Sequence, residues 1–148
     1  MWNHSLVERV ASALVLLGVK KAWVVHGADG LDEVTITGET FGGACPARTG
    51  VKTFTISPED FGLQRRSVDR RRDGPAENAR AIRAILEGER SGDLAAARDL
   101  IVINAAAALY IADVAKNFQG AAAMARTSID SGQAASKLEV LIRETNRS

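Results

Sequence analysis

Two adjacent carboxylates, Asp32 and Glu33, follow a turn that contains Gly27 and Gly30 and comes directly after a short apolar stretch. Carboxylate oxygens are hard ligands that suit Mg²⁺, which keeps several waters and takes one or two protein carboxylates together with phosphate oxygens of a substrate. The pair is therefore a candidate site for a magnesium-pyrophosphate group. The same residues are also typical of a solvated turn, because motifs this short are common by chance.

A strand and a helix are predicted to position this pair. Residues 22–25 are short, apolar and rich in β-branched side chains, which predicts a central strand that opens into the loop at residues 27–30. Open α/β sheets bind ligands at the carboxyl ends of their strands. Before this strand, apolar residues at helical spacing predict a helix over residues 6–17 that ends at Gly18.

Two further strands are predicted beyond the acidic pair, at residues 34–38 and 51–56, with a turn at residues 46–50. The connection between them is too short for a crossover helix, so they should form an antiparallel hairpin beside an otherwise parallel sheet. Gly42 and Gly43 weaken a strand position in this part of the chain. The predicted fold class is α/β, with a mixed sheet that includes an antiparallel hairpin and has helices on its faces.

The remaining residues are predicted to be mainly helical. Ser57 and Pro58, followed by two acids, mark the start of a short helix that Gly62 ends. Three longer helical stretches follow, and they lie at residues 76–88, 98–116 and 118–143, the last broken near residues 131–132. The stretch at 98–116 is apolar on all sides, so it is expected to be enclosed, with Asn104 as a satisfied core polar group rather than a catalytic residue.

Composition indicates one globular domain, since the chain has 148 residues, is 46% hydrophobic and carries a formal net charge of +1. This charge does not steer the chain toward nucleic acid or an anionic membrane. The arginines at residues 64–74 alternate with aspartates and lack aromatic neighbours, which favours a solvated face over a nucleic-acid patch. Cys45 is the only cysteine, so an intrachain disulfide and a cysteine-rich zinc cluster are excluded, in agreement with a cytoplasmic location. No secretory signal or membrane-spanning segment is predicted.

Six short motifs can be recognised along the chain, and both their order and the spacing between them are informative. They are HGADGLDE at residues 26–33, TG at 37–38, SPEDFGL at 57–63, ENA at 77–79, NAAAALY at 104–110, and SG at 131–132 before KL at 137–138. Together they resemble the motifs of the anthranilate phosphoribosyltransferases, and the resemblance covers essentially the whole chain. Each motif alone is modest evidence, whereas several in register are specific.

This resemblance implies transfer of a phosphoribosyl group from phosphoribosyl pyrophosphate to the amine of anthranilate, with release of pyrophosphate, in tryptophan biosynthesis. It also implies Mg²⁺ as the cofactor, with Glu33 bridging two ions and Asp32 binding one of them. No nucleophile or general base is assigned. The implied partners are phosphoribosyl pyrophosphate and anthranilate, and a homodimer is typical of the family, although its contacts lie largely in a helical region not found in this sequence.

Complete enzymes of that family begin with a helical domain and a glycine-rich phosphate loop, and neither pattern is found in residues 1–148. The chain is therefore interpreted as a single α/β domain, the carboxyl-terminal portion of a longer enzyme with an incomplete nucleoside phosphorylase/phosphoribosyltransferase fold, inactive alone. The main phosphate and anthranilate sites are expected upstream of it. Two alternatives stay open, which are a non-catalytic interaction module or remnant, and part of a pyrimidine nucleoside phosphorylase.

Overall fold

A computed structural model describes residues 1–46, 50–67 and 74–147 of the chain. The described residues form a three-stranded sheet, α-helices on both of its faces and two 3₁₀ turns. In chain order, these elements are a 3₁₀ turn at His4–Leu6, α1 at Val7–Leu16, β1 at Lys21–Gly27, β2 at Thr40–Pro46, β3 at Lys52–Ile56, a 3₁₀ turn at Pro58–Phe61, α2 at Pro75–Leu86, α3 at Asp93–Ile111, α4 at Phe118–Asp130 and α5 at Gln133–Thr145.

The sheet has the order β1-β2-β3, and both strand pairs are antiparallel. Within the described residues β1 is therefore an edge strand, so its position in the chain was predicted correctly but its central place in the sheet was not. In its register, Val24 lies opposite Gly43, and Gly42 lies opposite Phe54. The loop from β1 to β2 contains no helix, and strands joined without a crossover pair antiparallel. An antiparallel hairpin is present, as predicted, but it joins β2 to β3 and not residues 34–38 to residues 51–56. The parallel strands of a mixed sheet are not among the described residues.

The strand predicted at residues 34–38 is wrong, because the middle strand of the sheet is β2 instead. Val34, Thr35 and Ile36 are buried, but they lie in the loop between β1 and β2, and the hydroxyl groups of Thr35 and Thr37 both donate hydrogen bonds to the Asp29 carboxylate. The alternation of apolar and hydroxyl side chains in this segment therefore reflects burial and local side-chain bonding. It does not reflect a strand ladder.

Close packing explains why a strand runs through the two adjacent glycines. A Cβ atom on Gly42 would lie 2.1 Å from Cζ of Phe54, and one on Gly43 would lie 3.1 Å from Cβ of Ala11 in α1. The absence of side chains lets the Phe54 ring and α1 approach β2 on opposite faces. Gly42 and Gly43 therefore favour this strand, contrary to their effect on intrinsic strand propensity.

Helices cover both faces of the sheet, as predicted. On one face α1 packs over β1 and β2, around a small buried cluster of Val7, Ala11, Val24 and Cys45. On the other face the main core joins the sheet to α3 and α4. The buried side chains of this main core include Val34, Ile36, Ile56, Phe61, Val102, Ile103, Ala121 and Ile129.

Most helix boundaries agree with the prediction, because local signals determine them. Gly18 and Gly132 adopt φ angles of 75° just after α1 and just before α5, where only glycine is free of steric cost. The 3₁₀ turn after β3 has the capping box expected from Ser57 and ends at the left-handed Gly62. α3 begins and ends earlier than the predicted 98–116, since Gly92 precedes it and Asp113 turns the chain with φ at 59°.

Another prediction concerns the arginine-rich stretch at residues 64–74, which was expected to be a solvated face. Arg65 pairs with Glu59 at 3.0 Å and Arg66 with Asp99 at 2.9 Å, as expected for a solvated charged face. The remaining arginines, at residues 70–72, lie outside the described residues.

The prediction that the apolar helix α3 is enclosed is correct for only one side of it. Val102, Ile103 and Ala106 are fully buried in the main core. The opposite side is open, where Ala108 is exposed and, with Met124 of α4, lines an apolar groove of about 830 Å³. By length and composition alone, residues 94–111 could cross a membrane. In this fold they pack against α4 and the sheet.

Candidate metal-binding loop

The candidate site is the loop that joins β1 to β2, at the carboxyl end of β1. The Gly27 N–H group donates to the Leu31 carbonyl at 2.8 Å, and the Gly30 N–H group donates to the Gly27 carbonyl at 2.8 Å. Gly30 has φ at 88°, a conformation that side chains rarely adopt. The turn therefore closes directly after the strand and presents the acidic residues at the predicted position.

Asp29 organises the interior of this loop. One of its carboxylate oxygens accepts hydrogen bonds from the Thr35 and Thr37 hydroxyl groups, each at 2.7 Å, and the other accepts from the Leu31 N–H group at 3.2 Å. These bonds fold residues 31–37 back around the Asp29 side chain. Asp29 is therefore a structural acid, although in sequence it resembles Asp32 and Glu33.

Asp32 and Glu33 are arranged differently, because both side chains are exposed to solvent. Within the described part of the chain, neither carboxylate accepts a hydrogen bond or forms an ion pair. Their oxygens are therefore free to bind a cation without breaking an existing contact. The adjacent Val34 is buried, with 3% of its surface exposed. The exposed pair is therefore followed directly by a residue that is held in the core.

Asn104 connects α3 to the end of the acidic pair. Its Oδ1 accepts a hydrogen bond from the Val34 N–H group at 3.0 Å, and its Nδ2 donates to the Val34 carbonyl at 2.9 Å and to the Leu100 carbonyl at 3.0 Å. The prediction that Asn104 is a satisfied polar group is confirmed. Its bond to the acidic loop was missed, since no local pattern links residues that are 70 positions apart in sequence.

His26, the last polar residue of β1, is a hydrogen-bonding residue at the strand end. Its Nδ1 lies 2.7 Å from the Met1 carbonyl oxygen, so Nδ1 carries the proton and donates. Its ring centroid is 6.1 Å from that of His4. The structure therefore uses His26 to hold the segment that precedes α1.

The ligands available in the loop fit Mg²⁺ better than a metal that requires a complete protein cage. Among the described residues, no group of three or more His, Cys, Asp or Glu side chains could hold a metal ion. Mg²⁺ is commonly bound by one or two carboxylates and completed by water and substrate phosphates. Two free, exposed carboxylates match this pattern.

Known proteins are similar to this chain in sequence and in fold. Residues 1–135 match a family model described as the glycosyl transferase family, a/b domain. The anthranilate phosphoribosyltransferase of Moorella thermoacetica is 45% identical over 143 residues, which cover 96% of this chain and 41% of that protein. The enzyme of the same name from Azorhizobium caulinodans is 49% identical over 138 residues, covering 92% of this chain and 38% of that protein. The chain thus spans about two fifths of the length of these relatives.

Solved structures agree with the sequence comparison. An anthranilate phosphoribosyltransferase from Saccharomyces cerevisiae, in complex with PRPP and Mg, superimposes with a TM-score of 0.81 at 30% identity, over 93% of this chain and 39% of that chain. The Thermus thermophilus enzyme of the same name superimposes with a TM-score of 0.78 at 32% identity, with the same coverage. Fold and sequence therefore identify the same group of proteins.

Proposed function

Since the chain belongs to the glycosyl transferase family with an α/β domain of this kind, we propose that it forms the metal-binding part of an anthranilate phosphoribosyltransferase. The reaction would transfer phosphoribosyl from phosphoribosyl pyrophosphate to the amine of anthranilate and release pyrophosphate, as a step of tryptophan biosynthesis. The observation that supports this function is the pair of free carboxylates, Asp32 and Glu33, at the carboxyl end of β1. A cytoplasmic location, with which the single cysteine agrees, is part of the proposal.

The reaction requires stabilisation of separated charge. As pyrophosphate leaves, the ribose C1 becomes positively charged and negative charge collects on the departing oxygens. When bound, Mg²⁺ offsets that negative charge. Asp32 and Glu33 would hold the Mg²⁺, and the bonds of Asp29 and Asn104 keep the loop backbone in place. No described side chain is assigned as a nucleophile or general base.

We propose that the chain is inactive alone, because it spans about two fifths of its relatives and the acidic pair is only one part of a substrate site. One related structure is a complex with PRPP and Mg, and another is a complex with 4-fluoroanthranilate. The relatives named above are all anthranilate phosphoribosyltransferases. A pyrimidine nucleoside phosphorylase or a purely non-catalytic module is therefore not favoured.

A chimeric enzyme tests this function. This chain would replace the matching segment of the Moorella thermoacetica relative, and turnover would be followed by the loss of anthranilate fluorescence with phosphoribosyl pyrophosphate and Mg²⁺. We expect turnover by the chimera and none by the isolated chain. Glu33→Gln in the chimera should lower the rate by about 10²-fold or more, as removal of a group that stabilises developing charge typically does.

Glu39→Gln is the matched control, since Glu39 is an exposed acid at the end of the same loop and receives the same substitution. It should leave the rate within about twofold of the parent chimera. Equal rates for the Glu33 and Glu39 variants would contradict the metal assignment. Rapid product formation by the isolated chain would refute the proposal that it is inactive alone.

A further inference from the structure

We infer that Asn104 is a positioning residue for the metal-binding loop, which sets the backbone of the Asp32-Glu33 pair through Val34. This inference rests on the proposed function, because it concerns the geometry in which those two carboxylates are presented. Asn104 itself is not a ligand in this arrangement, since its side-chain amide is already occupied by backbone groups.

The Asn104 side-chain amide bonds both the N–H group and the carbonyl of Val34, as the backbone of a neighbouring β-strand would do. The Asn104 amide carries an acceptor oxygen and a donor nitrogen on the same carbon. Oδ1 accepts from the Val34 N–H at 3.0 Å, and Nδ2 donates to the Val34 carbonyl at 2.9 Å. Two bonds to one residue fix both its position and its orientation. Of the residues of similar size, Asp lacks the donor, and Leu lacks both groups.

The two bonds between Asn104 and Val34 form a clamp, and the rigid helix α3 supports it. The Asn104 Nδ2 also donates to the Leu100 carbonyl one turn earlier in α3. The neighbouring Val102 and Ile103 are 0% exposed in the main core, so this part of the helix cannot move without opening that core. Asn104 therefore transfers the rigidity of α3 to the loop.

A second anchor holds the other side of the acidic pair. Asp29 binds the Leu31 N–H group and the Thr35 hydroxyl, as described above. Residues 31 and 34 are thus each tied to a separate side chain, and only residues 32 and 33 lie between them. The backbone of the exposed pair is ordered before any cation binds, which lowers the entropic cost of binding.

Asn104→Ala in the full 148-residue chain removes the clamp without adding charge. Two measurements on isotope-labelled protein report the result. Amide hydrogen exchange at Val34 should accelerate at least about tenfold, because its N–H group loses its acceptor. Mn²⁺ would serve as a paramagnetic probe, and the concentration that half-broadens the Asp32 and Glu33 amide signals should rise about tenfold, as when an orienting outer-shell residue is lost.

Asn117→Ala is the matched control, since Asn117 is also an asparagine whose side chain bonds backbone, with Oδ1 accepting from the Gly120 N–H group at 2.7 Å. This bond caps α4 and does not involve the loop. The control should lower thermal stability, as Asn104→Ala should, yet leave Val34 exchange and the Mn²⁺ titration at their parent values. A purely structural role for Asn104 would make the two variants behave alike in the Mn²⁺ titration.

Glu33→Gln separates this inference from the proposed function. If Glu33→Gln weakens the Mn²⁺ effect and Asn104→Ala does not, the positioning role is overturned while the metal site stands. If Glu33→Gln leaves the Mn²⁺ titration unchanged, the proposed metal site itself is refuted. Should Asn104→Ala fail to fold, exchange in the parent chain decides, since Val34 exchanging as fast as Asp32 and Glu33 would show that the clamp is absent.

Discussion

Gly42→Ala should destabilise the protein through one contact, between the new methyl group and the Phe54 ring. The added Cβ would lie 2.1 Å from Cζ, 2.5 Å from Cε2 and 2.6 Å from Cε1 of Phe54. Gly42 does not have a positive φ, so its backbone accepts alanine without strain. The ring must move back by about 1.3 Å to restore ordinary van der Waals contact.

The cost of this movement can be bounded. Overpacking a well-packed site costs about 1–3 kcal/mol. The ring stands against Trp23, at 4.6 Å between centroids, and weakening such an aromatic pair costs about 0.5–1.5 kcal/mol within that total. Against this, replacing glycine by alanine restricts the unfolded chain and contributes about 0.4–1 kcal/mol. We expect a net loss of about 1–2 kcal/mol in the free energy of unfolding.

Urea unfolding followed by tryptophan fluorescence and circular dichroism measures this change. Gly38→Ala is the control, because a Cβ there meets no atom within 4 Å and φ is again not positive. That variant should be neutral or more stable by up to about 1 kcal/mol. The contrast between two glycine-to-alanine changes isolates the steric term.

A double-mutant cycle with Phe54→Ala identifies the contact responsible. Once the ring is removed, Gly42→Ala should become neutral or stabilising, which gives a coupling energy of about 1–3 kcal/mol. If Gly42→Ala costs the same with and without the ring, the reasoning is refuted, and β2 must exclude the methyl group for another reason.

Three further predictions concern stability and reactivity. Phe61→Ala should lower the free energy of unfolding by about 3–5 kcal/mol, because Phe61 is 0% exposed and stacks on Phe118 at 4.7 Å; a loss below 1 kcal/mol in urea unfolding would contradict this packing. Burial raises the pKa of the Cys45 thiol, so alkylation should be slow in the folded protein and need higher pH than in urea, and equal rates would count against a buried thiol. Hydrogen bonds from the Ser91 hydroxyl, then from the backbone, lower the pKa of Glu89 below its ordinary 4.5. The charged carboxylate therefore stabilises the fold above that value and loses its effect as pH falls through the lower folded pKa. Glu89→Gln should reduce the melting temperature at pH 7, and the reduction should shrink as the pH is lowered below 4.5; a reduction that does not change with pH would contradict this reasoning.

Much of the fold follows from local chemistry and was predictable from sequence. β1, α1 and the division between α4 and α5 were found because apolar spacing and glycine position specify them within a few residues. The capping box at Ser57 is equally local. Six ordered motifs also indicated the family, and the family model and the relatives confirm that resemblance.

The middle strand could not be predicted in the same way. Residues 34–38 alternate as a strand does, but their hydroxyl groups bond Asp29 and their backbone bonds Asn104. Gly42 and Gly43 have low strand propensity, yet they lie in β2 because the Phe54 ring and α1 need the space that side chains would occupy. In both cases a contact from elsewhere in the chain overrides the local pattern.

For the candidate site, the sequence by itself determined which residue types are available and where they stand. The placement of Asp32 and Glu33 after β1 follows from a strand, a glycine turn and two acids, all within about a dozen positions. Only the tertiary structure decided that Asp29 is used internally, that the other two carboxylates are free, and that Asn104 holds the loop from 70 residues away. The bonds of Asn104 join segments 70 positions apart and exist only after the chain has folded, so they leave no periodic or local signal in the sequence. The bonds of Asp29 are local, but three similar acids within five positions do not show which of them the loop uses.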